Sequence, residues 1–246
     1  MIWCRGEFGI GSPFANADLY YIFLLTTGGG AYVDHHFYPI FLNLAGRLCL
    51  VVGGGSVAVR KVPVLLEYGA TVLVISPHVR DEIKHWHEQG QITWKTSNFT
   101  PDDLRGVELA FITTDNAVLN HEIAEHCRQR GILVNAVDDP LNCDFYVPAV
   151  LRRGSLAIAI STEGRSPMFA AHLRRKLEDI ITEEYGEFVE VMGQLRTKIM
   201  QSGLNINERH MIFEAMINSD LLHLMLSGEK EKVKERIEQC ISSLQG

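Results

Sequence analysis

The sequence predicts an α/β fold, a parallel sheet of βαβ units followed by a helical C-terminal part. Three observations carry this reading. Short continuous apolar runs recur from residue 48 onward, segments with apolar residues at helical spacing separate them, and the first run opens directly into three glycines. Apolar runs without alternation suit parallel strands, which are covered on both faces.

The first strand is expected at Leu48–Val52, before Gly53-Gly54-Gly55. Val57, Ala58, Lys61, Val62, Leu65 and Leu66 then recur at helical spacing, and Tyr68-Gly69 ends that helix. Thr71–Ile75 is the second strand, 78–89 a helix and Gln91–Trp94 a short third strand. Glu108–Thr113 is the fourth strand, 117–130 a helix stopped by Gly131, and Ile132–Val137 the fifth strand. One more strand is expected at Leu156–Ile160. The loop after it closes with Ser166 as helix N-cap and Pro167 at the first helical position. Ala170, Leu173, Leu177, Ile180 and Ile181 form the apolar face of that helix, and everything beyond Gly186 reads helical.

The chain has 246 residues, 46% hydrophobic and 22% charged, which excludes a disordered or fibrous chain. A net charge of −7 makes nucleic acid or an anionic membrane a poor default partner. The five cysteines, Cys4, Cys49, Cys127, Cys143 and Cys240, are odd in number and widely scattered. That pattern argues against a disulfide framework or a zinc ribbon and for a reducing, cytoplasmic compartment. The apolar run Leu19–Leu25 is far short of the roughly 20 residues of a spanning helix. Glu7 and Asp18 deny the segment before it a positive signal-peptide region. Residues 1–34 lack a sustained period, and Thr26-Thr27-Gly28-Gly29-Gly30 is a breaker cluster. They read as a loose terminal extension or as an over-extended start, with translation beginning near Val33.

The functional signal begins at Gly53-Gly54-Gly55-Ser56-Val57-Ala58, a G-x-G-x-x-A turn between strand and helix. Gly53 makes the tight turn, Gly55 admits a pyrophosphate against the backbone, and Ala58 lets helix and strand pack closely. Ser56 and Val57 open the helix, whose unpaired N–H groups and positive dipole end suit phosphate. This predicts a dinucleotide-binding, Rossmann-type domain. The ribose-binding acid expected about 20 residues on is replaced by Ser76-Pro77-His78, so the choice between NAD and NADP stays open at this point. Thr113, Thr114 and Asp115 end the fourth strand and read as cofactor-side lining, with Asp115 or Asn116 as the alternative helix cap. Asp138-Asp139-Pro140 ends the fifth strand, where ligands bind in open α/β sheets. By position alone these acids are equally turn-formers or an acid/base pair. His121, His126, His85 and His87 lack metal-ligand spacing and read as solvated helix residues, and no metal site is expected.

Between Leu151 and Leu177, Arg152, Arg153, Arg165, Arg174, Arg175 and Lys176 face only one acid, Glu163. A solvated helix face explains part of this. Within an acidic chain it also suggests a polyanionic small substrate, because arginine forks pair carboxylates bidentately.

Several stretches together resemble a known family. They are Phe41–Arg47, Val51–Lys61, Thr113–Asp115, Val134–Pro140, Cys143–Ala149 and Ile160–Pro167, in order across roughly 37–200. The family is that of the precorrin-2 dehydrogenase / sirohydrochlorin ferrochelatase proteins, including the N-terminal module of siroheme synthase. The resemblance implies a homodimer that oxidises precorrin-2 to sirohydrochlorin with NAD, some members then inserting Fe²⁺ as substrate. It places the catalytic aspartate at Asp138 and gives the basic cluster a polycarboxylate tetrapyrrole to bind, through Arg152, Arg153, Arg174, Arg175 and Thr162. Some members carry serine where Thr162 stands. After the extension (1–34), which the resemblance does not cover, it also implies a division into an NAD-binding Rossmann domain (35–147), a dimerisation and substrate region (148–185) and a helical C-terminal domain (186–246). The competing class is a non-catalytic NAD-sensing domain, which needs neither Asp138 nor the basic cluster.

Overall fold

The computed structural model describes residues 36–242, so the expectations for residues 1–34 lie outside the described residues. Two compact units meet in the chain between Asp144 and Phe145.

The first unit is a five-stranded parallel sheet flanked by helices. Its elements are β1 (Leu48–Val52), α1 (Ser56–Glu67), β2 (Thr71–Ile75), α2 (Asp81–Glu88), β3 (Thr93–Lys95), β4 (Leu109–Ile112), α3 (Ala117–Arg128) and β5 (Leu133–Ala136). Strand order is β3-β2-β1-β4-β5, all neighbours parallel. The order reverses at β1, so the crevice for ligands opens at the carboxyl ends of β1 and β4. All of β4 and the last four residues of β1 are buried, which is why these strands read as unbroken apolar runs. Leu50, Ile75, Ile112, Ile123 and Val134 form the centre of the core. Burying a side chain of this size contributes about 1.5–3 kcal/mol.

Two strands of this sheet match the predicted bounds in full, Leu48–Val52 and Thr71–Ile75. The third is displaced. It runs Thr93–Lys95, because Gln91 closes the turn after α2 through its N–H to Trp86 O. His87, expected as a solvated residue, is tied into that turn. Its Nδ1 accepts from the Trp94 N–H at 3.3 Å, and the two rings meet edge to face.

The second unit starts with an antiparallel hairpin, β6 (Ala149–Arg153) and β7 (Leu156–Ile160), in register Arg153↔Leu156. The predicted Leu156–Ile160 strand therefore belongs to a separate two-stranded sheet, and its partner β6 was not anticipated. Gly154-Ser155 is the signal that was available. It is a two-residue hairpin loop, and Gly154 has φ +52°.

Helices follow: α4 (Pro167–Glu178), α5 (Glu183–Gln201), α6 (Ile206–Ile217), α7 (Leu221–Leu226) and α8 (Lys230–Ser242). Ser166 caps α4 as predicted, accepting from the Phe169 N–H at 3.3 Å with Pro167 at the first position. Ile180 and Ile181, predicted within that helix, lie beyond its end in a turn. Gly186 sits inside α5 rather than before it, and its lack of a side chain answers to packing, since a Cβ there would stand 2.6 Å from Arg153 O. Leu195, Ile199 and Met216 make a small core between α5 and α6. Among the described residues no helix is long and apolar enough to cross a membrane.

Candidate cofactor and acid/base site

The glycine turn lies where β1 ends. Gly53 has φ +109°, and a Cβ there would stand 2.6 Å from Thr113 Oγ1. Gly54, which the motif leaves unspecified, is equally constrained. A Cβ would collide with His78 O and stand 2.7 Å from Val79 Cα. The loop after β2 lies directly on the turn, and the Arg80 N–H donates to Gly54 O at 3.0 Å. Gly55 differs from both, since none of the described residues lies within 4 Å of where its Cβ would be. That open space is on the ligand side of the motif.

Ser56 begins α1 with no acid in the first turn, and the first intrahelical bond comes from the Val59 N–H to Gly55 O at 3.1 Å. The N–H groups of the first turn precede that bond, as at any helix start. They fit an anion, and buried Ala58 gives the close strand contact the motif requires.

The fold brings the loops after β1, β2 and β4 together. Ser76 is buried and its hydroxyl donates to His78 O at 2.6 Å, while Pro77 and His78 are exposed. Thr113 Oγ1 donates to Val52 O at 2.9 Å, tying β4 to β1. Thr114 Oγ1 pairs with Asn120 Oδ1 at 2.5 Å, and Asn120 Nδ2 returns to Thr114 O at 3.0 Å. Asn120, buried on α3, was missed by the sequence reading. Asn116 is the helix cap, accepting from the Leu119 N–H, and leaves Asp115 exposed.

Asp138 follows β5 on the same edge, the Val137 N–H donating to Ile112 O at 3.0 Å. Asp138 is exposed and has φ +60°, a left-handed conformation that Asp and Asn tolerate better than most residues. Asp139 is occupied: its Oδ2 accepts from Asn142 Nδ2 at 2.7 Å. The Cys143 thiol donates to Ala136 O at 3.1 Å, closing the loop beneath. Burial pushes the Cys143 thiol above its ordinary range, and the Cys49 and Cys127 thiols up to about 11. Lys61, on α1, lies 5.4 Å over the Phe111 ring, and burial lowers its pKa. A cavity of about 380 Å³ lined by Arg105, Val107, Arg130 and Ile132 lies at the opposite, amino ends of β4 and β5, away from this chemistry.

The predicted substrate residues all belong to the second unit, and the structure divides them. Arg153 is committed to structure: Nε donates to Ile181 O at 2.9 Å, Nη2 to Glu178 O at 3.3 Å, and Glu183 lies 3.3 Å away. It holds the end of α4. Arg174 pairs with Glu178 one turn along. Arg152 and Arg175 are exposed. Thr162 Oγ1 accepts from the Ser166 N–H at 3.0 Å, shaping the loop before α4.

A glycine turn at the switch point of a parallel sheet, with open space at Gly55 and an exposed aspartate after β5, defines a dinucleotide-binding protein of the Rossmann class. Comparison with known proteins agrees. Residues 40–149 match a family model for NAD(P) binding, 153–180 the model "sirohaem biosynthesis protein central", and 184–241 the model "sirohaem synthase dimerisation region". The chain belongs to the family of precorrin-2 dehydrogenases and the N-terminal module of siroheme synthases. It is 34% identical to the siroheme synthase of Photorhabdus laumondii over 210 residues, 85% of this chain and 45% of that one. It is also 34% identical to the siroheme synthase of Nitrosococcus oceani, over 82% of this chain and 43% of that one. The chain thus spans less than half the length of these curated relatives. Among solved structures, SirC, a precorrin-2 dehydrogenase, superposes with a TM-score of 0.67 and 26% identity, covering 82% of this chain and all of that one.

Proposed function

We propose that this protein oxidises precorrin-2 to sirohydrochlorin with NAD, as a cytoplasmic homodimer in siroheme biosynthesis. The observation that carries the reading is Asp138, exposed at the carboxyl end of β5 on the edge that bears the glycine turn. The similarity to SirC, which spans all of that chain and 82% of this one, supports the substrate. NAD, when bound, supplies the hydride acceptor. The backbone of Gly53, Gly55, Ser56, Val57 and Ala58 would hold its pyrophosphate. Pro77 and His78 border the adenosine side and Asp115 the β4 side. The side chains of Ser76, Thr113 and Thr114 shape these loops through the bonds described above.

Oxidation removes one hydride and one proton from the macrocycle. Asp138 takes the proton on a carboxylate oxygen and releases it to solvent. Fe²⁺ insertion requires two pyrrole N–H protons to leave, so the same carboxylate suits that second step, with iron as substrate. The homodimer is supported by the match of 184–241 and by apolar side chains exposed on α6, with Ile206 at 81% and Met211 at 68%. The test is anaerobic incubation of the protein with precorrin-2 and either NAD or NADP, with and without Fe²⁺, followed by absorbance. The expected result is sirohydrochlorin formed faster with NAD. No turnover with either cofactor defeats the assignment.

Of the basic cluster, Arg152 and Arg175 are assigned to substrate carboxylates. Replacing both with Ala should raise KM for precorrin-2 more than it lowers kcat, since binding is lost in ground and transition states alike. Arg153→Ala should behave differently. It frees carbonyls at the end of α4 and should cost about 1–3 kcal/mol of stability, read as a lower melting temperature. A normal melting temperature together with a raised KM would return Arg153 to the substrate site.

A further inference from the structure

Resting on the assignment of Asp138 as the acid/base, we infer that Asn142 is its positioning residue, acting through Asp139. Asn142 is 5% exposed, and each end of its amide has a partner. Nδ2 donates to Asp139 Oδ2 at 2.7 Å. Oδ1 faces His121 Nδ1 at 3.1 Å and accepts from Arg128 Nη1 at 3.4 Å, both on α3. Arg128 grips the rest of the loop, donating to Leu141 O at 3.0 Å and to Asp144 Oδ1 at 3.4 Å. Asp144 in turn accepts from the Val134 N–H at 3.0 Å, inside β5. The loop after β5 is therefore fastened at both ends to rigid elements, and Asn142 is the link that reaches the acidic pair.

Two consequences follow for the chemistry. The Asp139 carboxylate is spent inside the loop, so Asp138 is left as the exposed member of the pair. Asp138 is also next in sequence to an anchored residue, which helps hold its own left-handed conformation. A mispositioned catalytic group can lose on the order of 10²-fold in rate.

The experiment exchanges the two partners. Asn142→Asp sets two carboxylates face to face, removes the donor and should lower kcat by about 10–100-fold. Dinucleotide affinity, read by fluorescence titration, and KM for precorrin-2 should change less than about threefold, because neither binding surface is altered. The double variant Asp139→Asn/Asn142→Asp reverses the donor and acceptor and should recover kcat to within about threefold of the native protein. Asp139→Asn alone keeps a neutral acceptor and should be mild. Asn142→Ala, lacking both amide ends, should repeat the kcat loss, and it serves as the test should Asn142→Asp fail to fold. An Asn142→Asp or Asn142→Ala protein with native kcat, or a double variant no faster than Asn142→Asp, overturns the inference. Asp138→Asn, measured alongside, separates the levels. If it is inactive while the Asn142 variants are unaffected, only the positioning role fails. If it keeps the native rate, the acid/base assignment and this inference fall together.

Discussion

Asp138→Asn is expected to keep the fold and the affinity for the dinucleotide while losing the proposed dehydrogenation by about 10²–10⁴-fold, the usual cost of removing a general base. Asparagine is the informative replacement because residue 138 sits at φ +60°. Alanine would add backbone strain at a left-handed position and confuse a chemical defect with a structural one. If the protein also inserts Fe²⁺, the same substitution should remove that activity, since both steps ask one carboxylate to accept protons. Single-turnover absorbance with precorrin-2 and NAD measures the first step, and siroheme formation from sirohydrochlorin the second. A variant that keeps full rate in the first assay shows that hydride transfer here needs no carboxylate at residue 138.

The second large effect separates two adjacent glycines. Gly55→Val should leave the protein folded, because none of the described residues lies within 4 Å of its Cβ direction. It should weaken NAD binding at least tenfold, about 1.4 kcal/mol, because the branched side chain takes the space read here as the pyrophosphate's. Gly54→Ala should do the reverse. Its Cβ meets the backbone of His78 and Val79, so the cost falls on the fold, about 1–3 kcal/mol, as in other overpacked sites. Thermal melting and NAD titration of the two variants give a crossed pattern. Unchanged NAD affinity in folded Gly55→Val protein refutes the placement of the cofactor.

The contrast between these glycines also shows where the sequence was informative. Strands β1, β2, β4 and β5 were legible because burial on both faces demands continuous apolar residues. The Ser166 cap was legible because a hydroxyl followed by proline is a local device, complete within a few residues. Asp138 was legible as a position at a strand end and, through the family resemblance, as an acid/base candidate.

What the sequence alone determined was therefore the βαβ order, the glycine turn, the cap of α4 and the family. Each of these is carried by short-range periodicity or by a contiguous motif. The tertiary structure decided the rest. It removed Arg153 from the cationic cluster by setting it against the carbonyls of Glu178 and Ile181. It paired β7 with β6 rather than with the parallel sheet. It gave Gly54 its necessity, occupied Asp139 with Asn142, and placed Arg128 across the loop after β5. Some of these meetings span 25 residues or more, as Arg153 with Glu178 and Ile181, and others close a single hairpin or loop, as β6 with β7 and Asp139 with Asn142. No periodicity encodes such meetings, because side-chain pattern along a chain reports the face a residue takes, not the partner it finds there.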